Sequence, residues 1–257
     1  MQGLSMRIRG LLKGRLSERK GKALMKKLAK IGAAVSAILL IFALLVAALN
    51  IIFNRTGWLY KEYLCDLNNS VEEYYGISAE DASRVLSRMM YYSIGRADDL
   101  DVTIVENGKE VPFFNERELS HMRDVRALAT TVMWLGMISL LVSVTTLILL
   151  LAFGQKDALR VFAKAFLITL GVLLVIMTAL GIWATIDFDS FWRAFHVVFL
   201  DLESSTFDPA VSRMIRICPA ELFSDFIGVF AFDTALLIGI AAAACVIILA
   251  ATRKKRV

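Results

Sequence analysis

Two histidines occur in the chain, His121 and His196, and imidazole is the side chain whose unperturbed pKa of about 6.5 suits proton transfer near neutral pH. Asp124 follows His121 by three residues, which places both on one helix face. It can orient the imidazole, stabilise its charged form, or simply suit the dipole near a helix N-terminus. Glu118, three residues before His121, fits a capping role. The bland reading makes His121 a polar residue in the first turns of a helix and His196 an interfacial aromatic with a polar tip. Two histidines with Asp124 or Glu118 suffice in number for a metal, but no motif has tight ligand spacing. Ser120 and Ser190 are candidate nucleophiles, yet neither sits in a Gly-flanked turn. Cys65, Cys218 and Cys245 also lack metal-type spacing, and a Cys65 to Cys218 disulfide is left open.

The elements that must position these residues are those of a membrane protein. Apolar residues make up 58% of the chain, and they are bunched into long runs. Gly32 to Phe53, Ala127 to Phe153, Ala165 to Ile186 and Thr234 to Thr252 each lack Asp, Glu, Lys, Arg and His. Each can cross a hydrocarbon core of roughly 30 Å as a helix. The first run exceeds the usual signal-peptide core of about 7 to 15 residues, so it reads as a retained anchor. No ionisable side chain lies in the runs to line an ion path, which argues against a transporter.

Charge sets the expected topology. Residues 1–30 carry ten Lys or Arg and one Glu, residues 154–164 sum to +2, and Arg253 to Arg256 add +4, whereas the connections 54–126 and 187–233 each sum to −5. The positive-inside rule puts both termini and the short middle loop in the cytoplasm and the acidic connections outside. Next to a span, the basic N-terminus reads as a partner for anionic headgroups, not for nucleic acid.

The expected layout is an all-α protein with four transmembrane helices and a small extracytoplasmic helix-plus-hairpin cap. Its segments are a basic cytoplasmic segment 1–30, helix 31–53, the cap and start of the second helix 54–125, helix 126–153, loop 154–164, helix 165–186, an interfacial segment 187–228, helix 229–252 and tail 253–257. In the cap, Ser78 and Asp81 have capping-box spacing before a helix running to about Ser93, with Gly95 placed to end it. DVTIV and KEVPF flank Asn107-Gly108, a hairpin signal. Asn115 caps the next helix, Glu118 reaches back, and Phe114 staples onto Leu119. That helix runs from about Glu116 into the apolar run, so His121 stands about 9 Å above Ala127 at roughly 1.5 Å per residue. Phe188, Trp192, Phe195 and Phe199 form one stripe of a short interfacial helix with His196 at its edge. Pro209 and Pro219 interrupt the chain before the last span. Two crossings separate His121 from His196, so both face the same side and can meet.

At FFNERELSHMRDVRAL and DFDSFWRAFHVVFL, followed by FDPAVSRMIRICPAELF, the chain resembles a bacterial family of four-span membrane proteins that includes the lipoprotein intramolecular transacylases. The resemblance takes in the span layout, the cap, an HMxDV element with His121 and Asp124, an FH element with His196, and Pro219 with Phe223. One departure is that FLDLESSTFDP lacks the Trp usual after the aromatic and acidic residues there.

The resemblance implies a bacterial cell-membrane enzyme that moves an acyl chain from the glycerol of a diacylated lipoprotein to the α-amine of its N-terminal cysteine, giving a lyso-form lipoprotein. No cofactor and no metal are implied. The partners are that lipoprotein and membrane lipids. Donor and acceptor share one substrate, so no protein nucleophile is required. His121, Asp124 and His196 would be the catalytic residues. His121, oriented by Asp124, would be the base and His196 the donor to the oxyanion or leaving oxygen, or the reverse. A partner-binding or sensing cap without catalysis, and a lipase-like hydrolase, stand as alternatives.

Overall fold

The computed structural model describes residues 2–56, 70–106, 108–200, 207–218 and 220–253. Cys65, Asn107, Pro219 and the 201–206 part of the departing FLDLESSTFDP string lie outside the described residues. The elements are α1 (Gln2–Asn54), α2 (Ser70–Tyr75), α3 (Ala79–Ser93), β1 (Thr103–Glu106), β2 (Lys109–Pro112), α4 (Glu116–Ala152), α5 (Lys156–Ile186), α6 (Phe188–Phe199), α7 (Arg213–Arg216) and α8 (Ala220–Ala251). Four of them contain segments long and apolar enough to cross a membrane: Glu18–Asn54, Glu116–Ala152, Asp157–Ile186 and Asp225–Ala251. In lipid only a helix satisfies every backbone N–H and C=O within its own segment, which is why the uncharged runs adopt this form. Leu141, Ile168, Val175, Ile240 and Ile247 point outward, as side chains facing acyl chains should.

The chain divides into two compact units. The first comprises Met1–Phe42, Ile138–Leu173 and Ile238–Val257. Here the buried Ser36 and Ser143 exchange hydrogen bonds: Ser36 Oγ donates to the Ser143 carbonyl at 3.2 Å, and Ser143 Oγ donates to the Ser36 carbonyl at 3.0 Å. Each hydroxyl therefore has a partner where water is absent, and the pair joins α1 to α4.

The second unit comprises Ala43–Met137 and Leu174–Leu237. Its apolar core gathers Ile77, Ala82 and Val85, then Ile104, Phe113 and Phe114, with Met214 and Ile217. Ser78 caps α3, its side chain accepting from Asp81 N at 3.1 Å. The expected capping box is only half formed. Asp81 instead accepts from Arg84 of the same helix at 2.5 Å and from Val105 N of the hairpin at 3.3 Å. Gly95 ends α3 at φ +77°, with Arg96 N donating to Tyr91 O at 2.8 Å. β1 and β2 pair antiparallel with Glu106 opposite Lys109, the register a two-residue Asn-Gly turn demands.

Arg126, the last charged residue before the apolar part of α4, donates to Ala97 O at 2.9 Å and lies 4.5 Å from the Tyr92 ring centroid. It ties the cap to the rod that carries His121. Lower on that rod, α4 and α1 approach so closely at Gly136 that a Cβ there would fall 2.5 Å from Val46 Cγ1. Arg55 donates to Asp233 at 3.1 Å and Phe53 meets Phe226 edge-on at 5.8 Å, fixing α1 against α8 within this unit.

Candidate active site

His121 is placed by the start of α4. Asn115 Oδ1 accepts from Arg117 N and Glu118 N, both at 3.0 Å, while Glu118 Oε2 accepts from Asn115 N at 2.8 Å. This is a complete capping box. Phe114 and Leu119 both join the cap's apolar core, as the staple requires. The charged residues of α4 end at Arg126, so His121 stands outside the uncharged stretch.

His196 comes from α6, which one residue, Asp187, separates from the end of α5. Asp187 makes the break, its side chain accepting from Ser190 N at 3.0 Å. A helix of 12 residues is only about 18 Å long and cannot cross a hydrocarbon core. Its expected stripe forms an aromatic wall. Phe188 stacks on Trp192 at 5.7 Å, Trp192 lies 4.4 Å from Phe223, and Phe195 lies 5.1 Å from Phe199. His196 is buried within it, edge-on to Trp192 at 4.6 Å.

The two histidines meet within this unit. Their rings stack with centroids 6.0 Å apart and planes at 24°, and they are 7% and 6% exposed. They are held differently. His196 Nδ1 lies 2.8 Å from the Trp192 carbonyl. A carbonyl only accepts, so Nδ1 carries the proton, and the neutral ring keeps its lone pair on Nε2. His121 Nδ1 is buried without a hydrogen-bond partner among the described residues. Burial, and secondarily the neighbouring His196, pull the His121 pKa down to about 4, opposed by the weaker attraction of Asp124.

Asp124 is exposed, and among the described residues no hydrogen bond joins it to His121; it acts on the imidazole through charge alone. Likewise, no hydrogen bond links the Ser120 or Ser190 hydroxyl to either histidine. Phe207 was not anticipated as a site residue. Its ring meets His121 edge-on at 5.3 Å and has the Arg117 guanidinium 5.5 Å from its centroid. Glu118 does more than cap. It is fully buried, and its Oε1 accepts from Ser212 Oγ at 2.5 Å and Met214 N at 3.0 Å. No local pattern announces either contact, because each joins segments far apart in sequence.

The site thus offers two adjacent imidazoles, one with a defined tautomer and one neutral at pH 7, between an aromatic wall and Phe207. This suits proton traffic around a group drawn from lipid. No curated protein matches the chain significantly. A solved structure of the membrane-integral lipoprotein intramolecular transacylase from Bacillus cereus aligns with a TM-score of 0.64 at 18% identity, covering 91% of this chain and 98% of that one. A form of the same Bacillus cereus protein carrying a histidine-to-arginine substitution aligns with a TM-score of 0.63 at 18% identity, covering 95% and 98%. The family model described as lipoprotein intramolecular transacylase matches residues 34–223. The chain therefore belongs to the lipoprotein intramolecular transacylase family, a family of multi-pass membrane acyltransferases.

Proposed function

We propose that this chain moves an acyl chain from the glycerol oxygen of a diacylated lipoprotein to the α-amine of its N-terminal cysteine, with His196 as base and His121 as hydrogen-bond donor. The observation that carries this reading is the stacking of the chain's two histidines at 6.0 Å, both buried. The amine attacks the ester carbonyl, an N–C bond forms and the C–O bond to glycerol breaks. The amine proton passes to His196 Nε2 and from there to the departing glycerol oxygen, leaving an amide and a free hydroxyl.

The His196 Nδ1 hydrogen bond favours this division of labour over its reverse, because it keeps Nε2 free to accept. His121, uncharged at neutral pH, offers a ring N–H to the developing oxyanion, a role open to a neutral imidazole of lowered pKa. Asp124 modulates His121 by charge. The aromatic wall from Phe188 to Phe223 fits the acyl chains. The histidines and the acidic connections lie on the outer face of the membrane, and both termini lie in the cytoplasm, by the distribution of Lys and Arg.

The test is mass spectrometry of the N-terminal lipopeptide of a diacylated lipoprotein co-expressed with this protein and with its His121→Gln and His196→Gln variants. The expected result is an acyl group moved to the amine at unchanged total mass, with the rate lowered about 10²- to 10⁴-fold in either variant. A lipopeptide lighter by one acyl chain would make the protein a hydrolase, and an unchanged lipopeptide with well-expressed protein would remove the reading. Full activity in either variant would remove the assignment of that histidine.

A further inference from the structure

We propose that Glu118 is a positioning residue for the His121 imidazole, acting through the Phe207 to Ser212 turn; this deepens the acyl-transfer reading and rests on it. A capping box needs one carboxyl oxygen, and Glu118 Oε2 serves it. The other oxygen reaches a segment 94 residues away and receives two donors there, the Ser212 hydroxyl and the Met214 amide. A carboxyl group with no exposed surface persists only when its oxygens are so occupied.

The clamped segment is internally stiff. Asp208 O accepts from Val211 N at 2.9 Å and Ser212 N at 2.8 Å, and Asp208 Oδ1 accepts from Ala210 N at 2.8 Å. Ser212, held by Glu118, therefore fixes where the chain emerges at Phe207. Phe207 presents its edge to His121. Glu118 and His121 are one turn apart on the same helix, so the clamp and the ring it steadies share one rigid base.

The need for such a clamp follows from how His121 is held. Its Nδ1 has no hydrogen-bond partner among the described residues, and Asp124 does not bond it. Packing against Phe207 and His196 orients the ring. Loss of the clamp frees Phe207 to move, and displacement of a reacting group by about 1 Å costs on the order of 10²-fold in rate.

The experiment uses the full chain and a diacylated lipopeptide, with kcat and KM measured per folded protein for Glu118→Gln, Ser212→Ala, Phe207→Ala and the Glu118→Gln, Phe207→Ala double variant. Gln keeps the volume, but its amide N–H₂ cannot accept, so one side of the clamp opens. Glu118→Gln is expected to lower kcat about tenfold or more with KM changed far less, and Ser212→Ala, which removes one hydroxyl, to act in the same direction more weakly. In the Phe207→Ala background Glu118→Gln should add less than about a twofold loss. Equal losses in both backgrounds, or wild-type kcat in Glu118→Gln and Ser212→Ala, would overturn the proposal. Because the chain has two histidines, labelled imidazole resonances give a readout independent of turnover: Glu118→Gln should move the His121 ring signals in the direction Phe207→Ala moves them. Unmoved His121 signals would overturn the positioning role even if the wild type proved inactive, and inactivity itself would sink only the acyl-transfer reading.

Discussion

His196 Nδ1 donates to the carbonyl of Trp192 one turn earlier on the same helix, at 2.8 Å. That backbone contact fixes a tautomer without any second charged side chain. The partner imidazole is held in the opposite way. Among the described residues His121 has no such bond at Nδ1, and its ring packs against those of His196 and Phe207. One ring is thus set by a hydrogen bond and the other by packing, and perturbations of the two should differ in character.

The pH dependence of stability should report His121. Its folded pKa of about 4 lies below the ordinary 6.5, so between those values the unfolded chain binds a proton that the folded chain refuses. Stability then rises with pH across that window and is complete above about 6.5. Thermal melts in detergent should show Tm falling as pH drops from 7 toward 4, and His121→Gln should flatten that slope. Glu106, whose carboxyl is held below its ordinary 4.5 chiefly by Arg213, acts only below the upper part of this range. A slope unchanged in His121→Gln would assign the dependence to another group.

Asp124→Asn should be far milder than loss of a histidine. Asp124 acts on His121 only as a charge, and it is exposed, where water and salt weaken its field. Activity within about tenfold of wild type is expected, against the 10²-fold or greater loss for His121→Gln. Since Asp124 raises the His121 pKa, the variant should also move the acid edge set by His121 to lower pH. A loss in Asp124→Asn as deep as that of His121→Gln would mean that Asp124 contacts the reacting group.

The close crossing at Gly136 should tolerate no added carbon. A Cβ would lie 2.5 Å from Val46 Cγ1 and 2.6 Å from Val46 Cβ, so α1 or α4 must shift. Gly136→Ala is expected to destabilise by about 1–3 kcal/mol, as overpacking does. Val46→Gly removes both atoms and should recover most of the loss in a double-mutant cycle read by thermal melts. Additive losses would show that the helices do not pack through this pair.

Much of the frame is local and could be read along the chain. Asn115, Glu118 and Phe114 announce the start of α4, and the structure begins it at Glu116. Ser78 and Gly95 bracket α3, although Asp81 turned to Arg84 and Val105 instead of closing its box. The stripe from Phe188 to Phe199 became α6 with those bounds. Phe207 and the second role of Glu118 left no such mark. Ser212 and Glu118 are ordinary residues until the fold brings them together.

By itself, the sequence determined the four apolar helices, the caps that start α3 and α4, the hairpin and the short helix between spans, because each depends on neighbours within a few turns or on the cost of bare backbone in lipid. It also placed both histidines on one side of the membrane. Only the tertiary structure decided that their rings stack, that His196 commits Nδ1 to its own helix, and that a buried Glu118 accepts from Ser212, in the segment whose Phe207 meets His121. Those outcomes rest on contacts between distant segments and on side-chain orientation, which spacing along a chain does not encode.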